Sequence, residues 1–133
     1  MKKLYLFILL SFFSVTSHAS GAFDGIYTIS VNGVVANYAT VHEDAVTNQM
    51  IVVIISPDPT EPWIALSGIK GVNNTAALTS ITGASASDIA LNVTAAFNNN
   101  NTTPLATVVS CVNGTFYTCK FPNGTQLNMS KIF

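Results

Sequence analysis

The chain has no arginine, and charged residues make up only 8% of its 133 positions. Two of its five lysines, Lys2 and Lys3, sit at the extreme N-terminus, which leaves Lys70, Lys120 and Lys131 against six acids in the remainder. Binding nucleic acid requires clustered Lys and Arg to neutralise phosphate, and binding an anionic membrane surface requires a polybasic patch. This balance argues against both partners. Cysteine is almost as scarce, with Cys111 and Cys119 the only two, and histidine is limited to His18 and His42. A structural zinc site needs four such ligands, so no metal is expected. Strong helix formers seldom occur in succession, and the one long apolar run lies at the start.

That run has the form of an export signal. Met1-Lys2-Lys3 is a short basic segment, Leu4 to Val15 is apolar, and Ser17-His18-Ala19 places small residues where a signal peptidase reads them. The apolar stretch is too short for the roughly 20 residues that cross a bilayer. Residues 1–19 are therefore read as a cleaved leader and residues 20–133 as a single domain with no membrane span, secreted or periplasmic. The residue after the cut is Ser20, not cysteine, so a lipoprotein anchor has no attachment point there. An oxidising compartment suits a Cys111–Cys119 disulfide, which in a chain-entropy account contributes about 2.6 kcal/mol.

What the sequence does have is short β-branched and aromatic runs divided by turn residues, the pattern of an all-β fold. Gly25 to Val31 alternates Tyr27, Ile29 and Val31 with Thr28 and Ser30, and Asn32-Gly33 is a type I′ turn signal leading into a strand over 34–41. Further strands are expected over 48–56, 63–69, 75–82, 89–97, 105–112, 115–121 and 125–133. Asp88 could open a helix, because Ile89, Val93 and Phe97 are four apart, but the period-2 stripe favours a strand. Asn98 to Asn101, two threonines and Pro104 read as a low-complexity hairpin loop. Eight or nine short strands joined by short turns suit a small antiparallel β-meander closed like a barrel, with a β-sandwich as the alternative. One detail conflicts with this scheme. A two-residue Asn113-Gly114 turn would set Cys119 opposite Val108, so the disulfide requires a bulge, an offset crossing or a wider loop.

Candidates for chemistry are few. His42-Glu43-Asp44 is the only titratable cluster, and on an extended segment Glu43 points away from the other two, as in a solvated polar turn. Gly83 to Ser87 lacks the last glycine of a nucleophile elbow, and the acids are scattered through turns. No catalytic residue, cofactor or metal ligand is assigned, and the domain is read as non-enzymatic.

Two binding modes are expected instead. Tyr27, Tyr38, Trp63 and Phe97 could line a cavity for a small apolar ligand. Alternatively, Met50 to Ile55 is apolar on both faces, so Ile51, Val53, Ile54 and Ile55 could drive self-association into a structural or adhesive subunit. Asp24-Gly25-Ile26-Tyr27 is similar to the G-x-W opening of lipocalins, with Tyr27 in place of the tryptophan and no arginine to partner it. Leu127, Met129 and Phe133 resemble the C-terminal signature of bacterial outer-membrane barrels, which adds a small membrane barrel as a lesser alternative. The expected strands are shorter than the 9–11 residues that a membrane strand needs.

Overall fold

The computed structural model describes residues 21–97 and 103–133. The expected leader and the Asn98–Asn101 loop lie outside the described residues. Eight strands follow one another: β1 (Gly25–Val31), β2 (Val34–Glu43), β3 (Gln49–Ile55), β4 (Ile64–Lys70), β5 (Thr75–Ser80), β6 (Ala90–Ala96), β7 (Leu105–Val112) and β8 (Gln126–Lys131). Each pairs antiparallel with its neighbour in sequence, and β8 returns to β1 to close a barrel. Closure gives every strand a partner on both sides, which removes the open edges a sandwich would have to protect.

The turns follow local backbone chemistry. Asn32 and Gly33 both take positive φ, 51° and 79°, as a type I′ hairpin demands, and Val31 pairs directly with Val34. Asp44 holds the β2–β3 turn by accepting the N–H groups of Val46 and Thr47. The proline-rich stretch between β3 and β4 stays out of the sheet, because proline cannot donate to a ladder. Ala90–Ala96 is a strand and not a helix.

Residues 115–121, expected as a ninth strand, form no strand. β7 pairs with β8 at three positions only, Leu105↔Asn128, Ala106↔Leu127 and Thr107↔Gln126. Val108 exchanges backbone hydrogen bonds with Gly124 and Thr125 at the base of the loop 113–125, and the rest of that loop leaves the sheet. The disulfide explains the departure: Cys111 lies at the end of β7, and its bond to Cys119, with Cα atoms 6.0 Å apart, folds the following residues back on themselves. Of the three ways to accommodate this bond, the molecule uses the wider loop.

Strand alternation decides inside from outside. Tyr27, Ile29, Ala39, Val41, Met50, Val52, Leu66, Leu78, Val93, Val108, Leu127 and Met129 are buried in one core. Outward positions on β1, β2, β5, β6 and β8 carry mostly polar side chains, among them Thr28, Ser30, Thr40, His42, Thr79, Asn92, Thr94, Asn128 and Ser130. On β3 the alternation separates the two apolar faces: Met50, Val52 and Ile54 turn inward, while Ile51 and Ile55 are exposed on the outside. Tyr38 stands opposite Ile55 on the outer surface, and Ile69 is exposed on β4 opposite Gln49, at the other end of β3. Among the described residues no helix is long and apolar enough to cross a membrane.

One end of the barrel is plugged. Residues 21–24 fold across it, so that Phe23 is buried against Phe97 with ring centroids 4.6 Å apart, and the Lys70 ammonium sits 4.6 Å from the Phe23 ring centre. Lys70 also pairs with the Glu43 carboxylate, whose Oε2 accepts the Phe23 N–H at 3.2 Å. Glu43 is only 2% exposed, so the strand parity that separates it from His42 carries it into the interior instead of a solvated turn. The Tyr27 hydroxyl donates to the Phe23 carbonyl at 2.8 Å. Gly25, at φ 154°, lets the C-terminal residues approach: a Cβ there would lie 2.2 Å from the Phe133 carbonyl oxygen.

Candidate functional site

An eight-stranded barrel is just wide enough to be filled by its own side chains or to hold one small ligand. This barrel does both, at opposite ends. In the plugged half, aromatic and long side chains (Phe23, Tyr27, Met50, Phe97 and Met129) reach the axis and fill it. A void of about 20 Å³ remains above them, lined by apolar side chains only. In the other half the inward positions carry aliphatic residues that stop short of the axis, and a cavity of about 280 Å³ opens. Ile29, Ile54 and Leu127 border both spaces and form the floor of this cup. Val108, Leu91 and Ile64 build its walls.

The lid is the 113–125 loop. Phe116, Tyr117, Phe121 and both half-cystines line the cavity from above. Outside the sheet, this loop depends on a small set of local bonds. The Asn113 side-chain oxygen accepts the Cys119 N–H at 2.8 Å, and Gly114 N–H donates to the Tyr117 carbonyl at 2.9 Å. The Asp88 carboxylate, from the loop before β6, accepts the N–H groups of Thr115 and Phe116 at 2.5 and 3.0 Å. Desolvation alone would raise the Asp88 carboxyl, but the backbone N–H groups led by Phe116 and Thr115 outweigh it and hold it below the usual carboxylate value. Lys120 reaches across to Glu61 in the β3–β4 loop and ties the lid to the opposite rim.

That rim is itself fixed. Asp58 accepts the hydroxyl and N–H of Thr60, which hold its carboxyl below the ordinary range. The Ser85 hydroxyl bridges the 81–89 loop to β4 by accepting the Ala65 N–H at 2.9 Å. The Trp63 carbonyl accepts the N–H groups of Ala86 and Ser87, which seats Ser87 in the cavity wall.

The four aromatic residues that the sequence offered for a ligand site are not brought together. Tyr27 and Phe97 belong to the plug, Tyr38 lies on the outer surface, and Trp63 is 44% exposed beside the rim, contributing its carbonyl and not its ring. None of the four lines the larger cavity. Of the four β3 residues offered for self-association, Ile51, Val53 and Ile55 lie on the outward parity, whereas Ile54 faces the cup. Of the C-terminal signature, Leu127 and Met129 point into the barrel, while Phe133 is exposed.

The lining residues that sequence reading missed are isolated aliphatics, indistinguishable there from core. The lid did leave a signal, the mismatch between the Cys111–Cys119 spacing and a tight turn at Asn113-Gly114. No protein-family model, curated protein or solved structure matches this chain.

Proposed function

We propose that this chain is an exported, non-enzymatic binding domain that takes one small, largely apolar ligand into the open half of its barrel. The observation that carries this reading is the lidded cup of about 280 Å³ between aliphatic walls. A buried apolar cavity of about 150 Å³ stays dry and holds benzene, so by proportion this cup suits roughly eleven non-hydrogen atoms. At about −0.6 kcal/mol per atom, a ligand of ten atoms reaches about −6 kcal/mol, a Kd on the order of 40 µM. The disulfide suits the oxidising compartment that the leader implies. Binding is favoured over catalysis because the two charged groups at the cavity, Glu61 and Lys120, are spent on each other. A membrane barrel is disfavoured because its lumen is polar, whereas the inward positions here are apolar.

Titration calorimetry of the leader-free protein with p-cymene and naphthalene tests the reading. Heat with one-to-one stoichiometry is expected, and it should vanish in Ile89→Trp, whose indole would occupy the cup. A folded wild-type protein that binds neither hydrocarbon refutes the proposal.

A second reading rests on the outer stripe of Tyr38, Ile51, Ile55 and Ile69. With no free edge on a closed barrel, association would have to be face to face. Sedimentation that shows a monomer at high concentration, for both wild type and Ile51→Lys, eliminates it.

A further inference from the structure

Besides Thr60, Tyr117, Thr118 and the Glu61–Lys120 pair on the rim and lid, two polar side chains, Ser87 and Asn37, interrupt the apolar wall of the cup. Ser87 is only 7% exposed; its hydroxyl oxygen accepts the Ile89 N–H at 3.2 Å, and among the described residues its hydroxyl hydrogen has no acceptor. Asn37 is half-buried on β2, and among the described residues its carboxamide has no hydrogen-bond partner. A polar group set into an apolar wall without a partner is costly, and such groups in native sites normally fix a ligand's orientation.

Their placement is specific. Around the barrel, β3 and β4 stand between Asn37 on β2 and Ser87, whose N–H donates to the Trp63 carbonyl just before β4, while the longer way round passes β1, β8, β7 and β6, so the two groups sit on different walls. Between them run two aliphatic faces, Ile54 and Ile64 on one side and Ile29, Leu127 and Val108 on the other. Glu61 and Lys120 neutralise each other at the mouth, which leaves no unpaired charge among the described residues of the cup to recruit an ion.

Resting on the cup as a binding site, the geometry points to a neutral ligand with two poles: a flat apolar centre, a carbonyl or ether oxygen that accepts from Ser87, and a hydroxyl or second carbonyl that meets the Asn37 carboxamide. Ser87 donates one hydrogen bond and keeps its acceptor role toward Ile89. Asn37 both donates and accepts, so it reads the far pole whichever of these groups is present. Hydroxyaryl ketones satisfy both poles within the available volume.

The test compares 4′-hydroxyacetophenone with p-cymene, which has the same para-substituted shape and ten non-hydrogen atoms but no polar pole. The ketone is expected to bind wild type at least as tightly as the hydrocarbon, although water solvates it far better. The ratio of the two affinities should fall about fivefold in Ser87→Ala and again in Asn37→Leu, the worth of one neutral hydrogen bond each. If p-cymene binds and the ketone does not, or the ratio is unmoved in both variants, the two-pole assignment fails while the cup survives. If neither compound binds folded wild type, the cup itself fails. Should the variants not fold, the infrared carbonyl stretch of the ketone bound to wild type decides: a shift to lower wavenumber than in alkane solvent supports the hydrogen bond, and an alkane-like position overturns it.

Discussion

Replacing Lys70 with methionine should be among the most damaging single changes to this barrel. The Glu43 carboxylate is 2% exposed, and among the described residues its two supports are the Lys70 ammonium and the Phe23 N–H. Methionine matches the length of the lysine stem and keeps its packing against Phe23, so the loss isolates the charge. Stranding one member of a buried ion pair costs about 3–5 kcal/mol. The cation–ring contact with Phe23 adds about 1 kcal/mol, since the ammonium is largely desolvated. A total of about 4–6 kcal/mol corresponds to a fall in Tm of about 15–25 °C for a domain of this size. Urea denaturation monitored by circular dichroism measures it directly, and the double variant Glu43→Gln with Lys70→Met completes the cycle. Because replacing both partners by uncharged groups removes the desolvation cost with the attraction, the double variant should recover more than half of the loss. The cup lies at the other end, so p-cymene affinity at 20 °C should not change. A Lys70→Met protein destabilised by less than 1 kcal/mol, or a double variant no better than the single, would refute the claim that the plug is an interior ion pair.

Other expectations follow from the lid and the plug. Reducing the Cys111–Cys119 bond should lower stability by about 2.6 kcal/mol and weaken p-cymene binding further, as the lid loses its hinge; unchanged binding by calorimetry would detach the lid from the site. Asp88 ionises below its ordinary value of 3.8, so its hold on the lid is complete above that pH and is lost as pH falls through the lower folded value. Hydrogen exchange at the Thr115 and Phe116 amides should accelerate there, and Asp88→Asn should abolish the pH dependence. Tyr27 is pushed up to about 12 by burial and by the nearby carboxylates Asp24 and Glu43. Its stabilising share is intact below pH 10 and is lost as pH rises toward 12, so absorbance titration should show one late tyrosine that disappears in Tyr27→Phe.

The barrel was legible because each level of the sequence agreed with the next. The Tyr27-Ile29-Val31 stripe, the Asn32-Gly33 turn and the Ile89-to-Phe97 alternation all specify short strands with one wet face, and the observed ladders follow them. The 115–121 segment misled because Thr115, Phe116 and Tyr117 are strand-formers by composition, while a covalent bond at Cys119 overrides that preference. Glu43 looked solvated because its neighbours His42 and Asp44 are polar; its parity, not its company, decided its burial. The cup was hidden for a different reason. A cavity is a difference in how far opposing side chains reach, and no single strand records what faces it across the axis. Tyr27 and Phe97, the most conspicuous aromatics, fill the plug because their size suits the filled end.

The strand that closes the circle is also the one with the least to hold it. β8 meets β7 at three ladder positions and β1 at four, whereas β2 meets β1 at seven and β3 at six. Local opening free energy scales with the bonds and buried surface an element must surrender, so β8 is the stave that lets go first. When it swings away, Leu127 leaves the floor of the cup, and a guest gains a side door that does not require the disulfide-tied lid to move. Exchange of β8 amides and escape of a bound guest should then share one rate.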